Sequence, residues 1–117
     1  MGKVTKKQFK LFCDEFKRYA VKFGLHEWEL RFFLEDIGTN LASIRSDYLG
    51  RMCRVSFTHI WEDPLLLDDN QIKETAKHEA IELLTDDLGS LAGSRYVTLD
   101  EIDAARHTLV RRLEKLL

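Results

Sequence analysis

The first predicted element is a helix with aromatic residues along one face. These aromatic residues recur at steps of three and four: Phe9, Phe12, Phe16, Tyr19 and Phe23. This spacing puts them on one side of an α-helix, where they would pack into the core. Thr5 with Gln8 three residues later forms a capping box, and Gly24 follows as a stop. The pattern therefore predicts an amphipathic helix from Thr5 to Phe23.

From residue 27 the hydrophobic period changes to two, which indicates strands. The first alternation covers residues 27–35, and a weaker, more polar one follows over residues 42–48. The third, over residues 53–61, is the most apolar. Gly38 marks the first turn and Gly50 the second. Because both turns are short, the pattern predicts a three-stranded antiparallel meander.

A second helix is predicted over about residues 70–88. Asp68 with Gln71 three residues later can cap its start. Apolar residues cover most of its circumference, as is typical of a helix held at the centre of a domain. A separate polar strip runs along this helix and consists of His78, Glu79, Glu82 and Asp86.

The last segment combines a loop and a helix. Small residues predict a mobile loop over residues 89–97. Thr98 and Glu101 form another capping box, which begins a helix that runs to Leu117. The order of helix, three strands, helix and helix predicts an α+β fold with one small sheet.

Length and charge limit the class of protein. A chain of 117 residues can bury one modest core, so we expect one domain over residues 1–117. The net charge of −2 gives no reason to expect a nucleic-acid partner. No apolar run is long enough to cross a membrane, and no secretion signal is recognisable. We therefore expect a cytoplasmic protein without a membrane partner.

Two cysteines, Cys13 and Cys53, are too few and too far apart for a disulfide framework or a structural zinc knuckle. Cysteine without such a role behaves as a small hydrophobic residue. We expect both thiols to be buried and free.

The candidate chemistry lies in the stretch His78-Glu79-Ala80-Ile81-Glu82 of the second helix. Residues four apart share a helix face, so His78 and Glu82 can reach one metal ion. Glu79 lies about 100° around the helix, close enough to act as general base on a water molecule. This is the layout of the zinc-hydrolase motif H-E-x-x-H with glutamate in last place. In the competing interpretation these residues are solvated, and His78 and Glu82 form an ordinary surface contact.

His107 is predicted as a third zinc ligand, because catalytic zinc usually takes three protein ligands. Glu82 lies roughly 9 Å before the predicted end of its helix, and His107 roughly 13 Å after the start of the last helix. An antiparallel pairing of the two helices would bring His107 to His78 and Glu82. The alternatives are that His107 is an ordinary surface histidine or that a nearby acid is the third ligand.

The chain resembles the zincins, and in particular minimal metallopeptidases encoded by phages and prophages. The similarity covers about residues 23–117 and rests on three segments: Gly24 to Trp28, Ala76 to Leu84, and His107 to Glu114. The resemblance implies a zincin-like fold, one zinc ion at His78 and a general base at Glu79. Glu82 stands where the common motif has histidine.

The resemblance and the motif together predict a zinc-dependent hydrolase. We expect a peptidase that acts on a peptide or protein, with His78, Glu82 and His107 binding zinc and Glu79 moving the proton. A further protein partner would complete the shallow cleft of so small a domain. The alternative is a non-catalytic interaction module of phage or mobile-element origin, with a zincin fold and a degenerate metal site.

Overall fold

The computed structural model describes residues 2–64, 67–93 and 96–116. These residues form an α+β fold, as predicted. The elements in chain order are β1 (Gly2–Lys3), α1 (Lys6–Lys22), β2 (Glu29–Glu35), β3 (Ala42–Asp47), β4 (Met52–Thr58), β5 (Ile60–Trp61), α2 (Asp69–Leu84), α3 (Asp86–Ala92) and α4 (Leu99–Leu116).

Helix α1 begins and ends close to where the sequence predicts. Thr5 Oγ1 accepts a hydrogen bond from the Gln8 backbone N–H at 3.0 Å, and Gln8 Oε1 accepts one from the Thr5 N–H at 2.9 Å. This capping box pairs donors that a first helical turn leaves free. Gly24 follows with a φ of 71°, which glycine adopts without steric cost. Phe12 and Phe16 of the aromatic face are fully buried.

The three long strands form a mixed sheet, so the prediction of an antiparallel meander was wrong. The strand order is β2-β4-β3, with β4 parallel to β2 and antiparallel to β3. Burial accounts for this order, since Cys53, Val55 and Phe57 make β4 the most buried strand. A strand of this kind gains most from having a neighbour on both edges. The more polar β3 therefore takes an edge.

The predicted third strand is divided between two sheets. After β4 ends at Thr58, β5 pairs with β1 in a second, two-stranded antiparallel sheet. The Val4 N–H donates to the His59 carbonyl oxygen at 2.8 Å and extends this pairing. A strand of two residues is too short to show a hydrophobic period, so β1 could not be predicted.

The predicted second helix ends early, at Thr85. Asp68 Oδ1 accepts from the Gln71 N–H at 2.8 Å and caps α2 as predicted. At the other end, Thr85 Oγ1 donates to the Glu82 carbonyl oxygen at 3.0 Å, a bond that competes with continued helix. Helix α3 then starts at residue 86 and occupies much of the predicted loop, of which residues 94 and 95 lie outside the described part.

Helices α1 and α2 pack on each other, and α2 also lies against β3. The core between the helices and the sheet includes the fully buried Ile72, Ala76 and Ala80 of α2. This packing fixes α2 beside the edge strand of the sheet. None of the helices in the described residues is long and apolar enough to span a membrane.

Helices α3 and α4 form a C-terminal pair that is held to the rest of the protein by ion pairs and by the packing of Leu109 and Leu116 against the core. Helix α4 packs mostly on α3. Within the described residues it does not pair closely with α2, contrary to the prediction. Helix α3 has no buried residue among those described, and α4 has only Ala105. Asp87 pairs with Arg51, and Arg112 pairs with Glu27.

Both cysteines are free and buried, as predicted. Burial raises the pKa of the Cys13 thiol to about 11 and that of Cys53 to about 12. Both groups therefore remain protonated at neutral pH and are poor nucleophiles.

Candidate metal centre

Helix α2 brings together three of the four predicted site residues. His78, Glu79 and Glu82 each offer one ligand atom, and these atoms lie within 4.8 Å of one another. His78 Nε2 is 3.4 Å from Glu82 Oε1, as the spacing of four residues on a helix predicts. The cluster is therefore a direct product of the helical geometry of the motif.

Glu79 differs from the other two residues in its burial. It is only 6% exposed, whereas the side chains of His78 and Glu82 are 70% and 52% exposed. Its Oε2 is buried and has no hydrogen-bond partner among the described residues. A buried polar atom without a partner is costly and is uncommon in folded proteins. A cation bound beside it would offset that cost.

Burial raises the pKa of Glu79 from 4.5 to about 8, and the neighbouring Glu82 carboxyl adds to the rise. Burial removes water from the ionised form, and Glu82 favours the protonated form first through a side-chain hydrogen bond and then through like-charge repulsion. Glu79 is therefore largely protonated at neutral pH in the protein without metal.

A cavity of about 560 Å³ opens at this cluster, between α2 and the chain that leads into β3. The residues that line it are Asn40, Leu41, Ala42, Gln71, Glu74, Thr75, Lys77, His78, Glu79 and Ile81. The volume lies in the range of small-molecule sites. A ligand in this space would contact His78 and Glu79, whereas Glu82 is not among the residues that line it.

Lys77 and Asn40 are cavity residues that the sequence analysis did not identify. Lys77 directly precedes the motif on the same helix, so the sequence could have indicated that it lies near the site. Asn40 lies in the turn before β3, and only the folded chain shows that this turn meets α2.

The structure does not bring His107 into the cluster. Its Nδ1 lies 2.8 Å from the carbonyl oxygen of Asp103, one turn earlier in α4. Among the described residues, only Glu79 and Glu82 join His78 in the group of clustered ligand atoms. The role of His107 as third zinc ligand stays a prediction, which the geometry of α4 does not support.

Asp86, the last member of the predicted polar strip, has a different environment. Its carboxyl group accepts hydrogen bonds from Ser46 of β3 and from Ser90 of α3. Asp86 thus joins the start of α3 to the edge strand, and this contact explains its place on the strip without a metal.

The cluster could hold a divalent cation, judged by its donor types and by the spacing of one pair of ligand atoms. Imidazole nitrogen and carboxylate oxygen are established zinc ligands, and a tetrahedral site with bonds of about 2.1 Å separates its ligand atoms by about 3.4 Å. The separation of His78 Nε2 and Glu82 Oε1 matches that value. Glu79 offers a third potential ligand atom at the same place.

Comparison with known proteins gives no family assignment. No family model, curated protein or solved structure matches this chain. What the protein does must therefore be inferred from the site itself.

The raised pKa of Glu79 predicts that the metal-free protein loses stability as the pH rises. The folded state holds the Glu79 proton up to about pH 8, whereas the unfolded chain releases it near pH 4.5. The stability that this proton contributes is present below pH 4.5 and is lost as the pH rises through about 8. Between pH 5 and pH 8 the loss should be on the order of 3 kcal/mol.

Urea denaturation at several pH values, with a chelator present, measures this effect. Glu79→Gln should flatten the pH dependence and should be more stable than the wild type at pH 8. Glu74→Gln is the matched control, because Glu74 lines the same cavity but is exposed. If Glu79→Gln keeps the wild-type slope, the pH dependence arises elsewhere in the protein.

Proposed function

We propose that this protein is a zinc-dependent metallohydrolase with a zincin-like fold, and that it acts as a peptidase in the cytoplasm. The observation that carries the proposal is the buried oxygen Oε2 of Glu79, which has no hydrogen-bond partner among the described residues and belongs to a residue clustered with His78 and Glu82. An oxygen in this state is unfavourable in a protein that binds nothing. It becomes favourable beside a bound cation.

His78 and Glu82 are the proposed metal-binding residues, and Glu79 is the proposed general base. Zinc, when bound, polarises a carbonyl group and lowers the pKa of water. Glu79 Oε2 would accept a proton from the attacking water and return it to the leaving amine. Without metal, the raised pKa of Glu79 favours its protonated form at neutral pH. A cation bound beside it would favour the ionised form, which can accept the proton.

The position of β3 supports a peptide as the substrate. In the described residues β3 pairs only with β4, so its outer edge presents backbone groups that an extended peptide can bind. Leu41 and Ala42, at the start of this strand, line the same cavity as His78 and Glu79. A peptide added along β3 would therefore reach the proposed metal site with its backbone in extended form.

Glu79→Gln tests the proposed mechanism. The variant should keep bound zinc, since His78 and Glu82 remain, while the rate of peptide hydrolysis should fall by about 100-fold or more. Elemental analysis of protein purified without added metal gives the zinc content, and a library of quenched fluorescent peptides gives the rate. Glu74→Gln should match the wild type in both measurements.

Each deviation from this result has a distinct meaning. Unchanged hydrolysis in Glu79→Gln would remove Glu79 from the mechanism. Loss of zinc in the same variant would make Glu79 a metal ligand and not the base. Absence of both zinc and hydrolysis in the wild type would refute the hydrolase proposal.

The second candidate function is a non-catalytic interaction module, in which the polar strip of α2 has only a structural role. One observation favours it: α4 exposes several large apolar side chains, which are Leu99, Val110 and Leu113. Exposed apolar residues on one helix are common at binding surfaces. The zinc measurement separates the two functions, since the interaction module needs no metal.

A further inference from the structure

A second cavity, of about 470 Å³, lies where β4 passes into β5. The turn that follows β2 forms one wall, and residues 58–62 form the other. The residues that line it are Asp36, Gly38, Thr39, Thr58, His59, Ile60, Trp61 and Glu62. This cavity contains none of the residues proposed to bind zinc.

The charged groups of the second cavity are both acidic. Asp36 and Glu62 form no ion pair within the described part of the chain. Asp36 Oδ1 accepts a hydrogen bond from the Gly38 N–H at 3.0 Å, which leaves its second oxygen available. No lysine or arginine is found among the described residues that line the cavity. A cationic ligand is therefore electrostatically favoured.

His59 and Trp61 add an acceptor and an aromatic surface. His59 Nδ1 is buried and has no hydrogen-bond partner in the ranges that the structure describes. In the neutral ring, one of the two nitrogens accepts hydrogen bonds. Trp61 packs partly against the core and also lines the cavity, and indole is the side chain that binds cations most strongly through its face.

The acidic and imidazole groups of this cavity do not converge as a metal site would require. Within the described residues, only His78, Glu79 and Glu82 place three ligand atoms within 4.8 Å of one another. Asp36, His59 and Glu62 are thus too widely spaced for one metal ion to contact all three. An organic cation with several donors does not need three groups that converge on one point.

We propose that the second cavity binds a guanidinium group, as carried by an arginine side chain. Guanidinium presents five N–H donors in one plane, so it can pair with a carboxylate on one side and donate to a histidine nitrogen on another. It also stacks on aromatic rings and is more weakly hydrated than an ammonium group. A lysine ammonium is one compact, strongly hydrated charge without this planar set of donors. The proposal does not depend on zinc or on hydrolysis.

Isothermal titration calorimetry on the wild-type chain, with a chelator present, tests the proposal. The ligand is the blocked tripeptide acetyl-Ala-Arg-Ala-amide, and its control contains citrulline, which has the shape of arginine without the charge. The arginine peptide should bind saturably, and the citrulline peptide should bind at least about tenfold more weakly, because hydrogen bonds to a charged group are lost. Equal binding of the two peptides, or no saturable binding of the arginine peptide, would overturn the proposal.

A double variant, Asp36→Asn with Glu62→Gln, locates the binding. The double variant should bind the arginine peptide about tenfold or more weakly than the wild type. The matched control is Asp100→Asn with Glu114→Gln, which removes two exposed acids of α4 and should bind as the wild type does. Equal affinity of the two double variants would place any binding outside this cavity and refute the proposal.

Methylguanidine distinguishes the source of the guanidinium group, since it has the same single charge and no peptide backbone. If methylguanidine binds as tightly as the tripeptide, the cavity recognises a free small molecule. If the tripeptide binds more tightly, the natural ligand is an arginine within a polypeptide. Both results support a guanidinium site. A cavity without preference for charge would instead bind the citrulline peptide as tightly as the arginine peptide.

Discussion

Replacing His78 with alanine should lower the affinity of the protein for zinc by about 100-fold or more. Loss of a group that only orients a ligand already costs 10- to 100-fold in metal affinity, so loss of the ligand itself should cost at least as much. Competition with a chromophoric chelator measures the affinity. Circular dichroism should show an unchanged fold, because the His78 side chain is 70% exposed.

His107→Ala is the matched control for this experiment. His107 is exposed on α4 and its ring contacts Asp103 of the same helix, so its loss should change zinc affinity by less than about twofold. Equal losses in the two variants would instead support the ligand set expected from the sequence. They would mean that α4 closes on α2 when the metal binds. A full complement of zinc in His78→Ala would place the metal elsewhere.

Replacing Phe57 with alanine should reduce the free energy of unfolding by about 3–5 kcal/mol, the largest effect on stability that we expect from one side chain. Phe57 is completely buried on the central strand β4. Its ring lies 4.6 Å from that of Phe12, measured between centroids. Alanine would leave a cavity between the sheet and α1 that these rigid elements cannot close.

Phe33→Ala is the control for Phe57→Ala, because Phe33 projects from the opposite face of the sheet. Phe33 is half-buried, and its ring is covered by the Arg54 guanidinium group at 3.7 Å from the centroid. We expect its replacement to cost about 1 kcal/mol. Urea denaturation measures both values, and an unchanged slope would confirm that the variants unfold like the wild type. Equal costs would contradict the assignment of β4 to the centre of the core.

Features that depend on neighbouring residues could be predicted from the sequence. The capping box at Thr5 needs only Gln8, three positions away, and the structure confirms it. The approach of His78 and Glu82 likewise follows from the helix that contains both. The α+β class follows from the hydrophobic periods of the segments, each of which is a local property.

Features that depend on distant residues could not be predicted in the same way. Alternation tells which face of a strand is buried, but it does not tell which strands are neighbours. The parallel pairing of β2 with β4 was therefore missed. The proposed approach of His107 required α2 and α4 to pair closely, whereas the break at Thr85 introduces α3, on which α4 packs.

The burial of Glu79 could not be predicted from the sequence either. Its place beside His78 gave it the expected role of general base, but nothing in the pattern predicted that its side chain would be buried. Only the packing of α2 shows that Glu79 alone is covered. The raised pKa follows from this covering and so could not be predicted.

The sparse burial of α3 and α4 gives the molecule two regions of unequal cooperativity. Few buried side chains hold the C-terminal pair, whereas α1, α2 and the sheet share the main core. The C-terminal pair should therefore open in a sub-global step before the sheet unfolds. The central helix that carries His78 and Glu79 belongs to the region that stays closed.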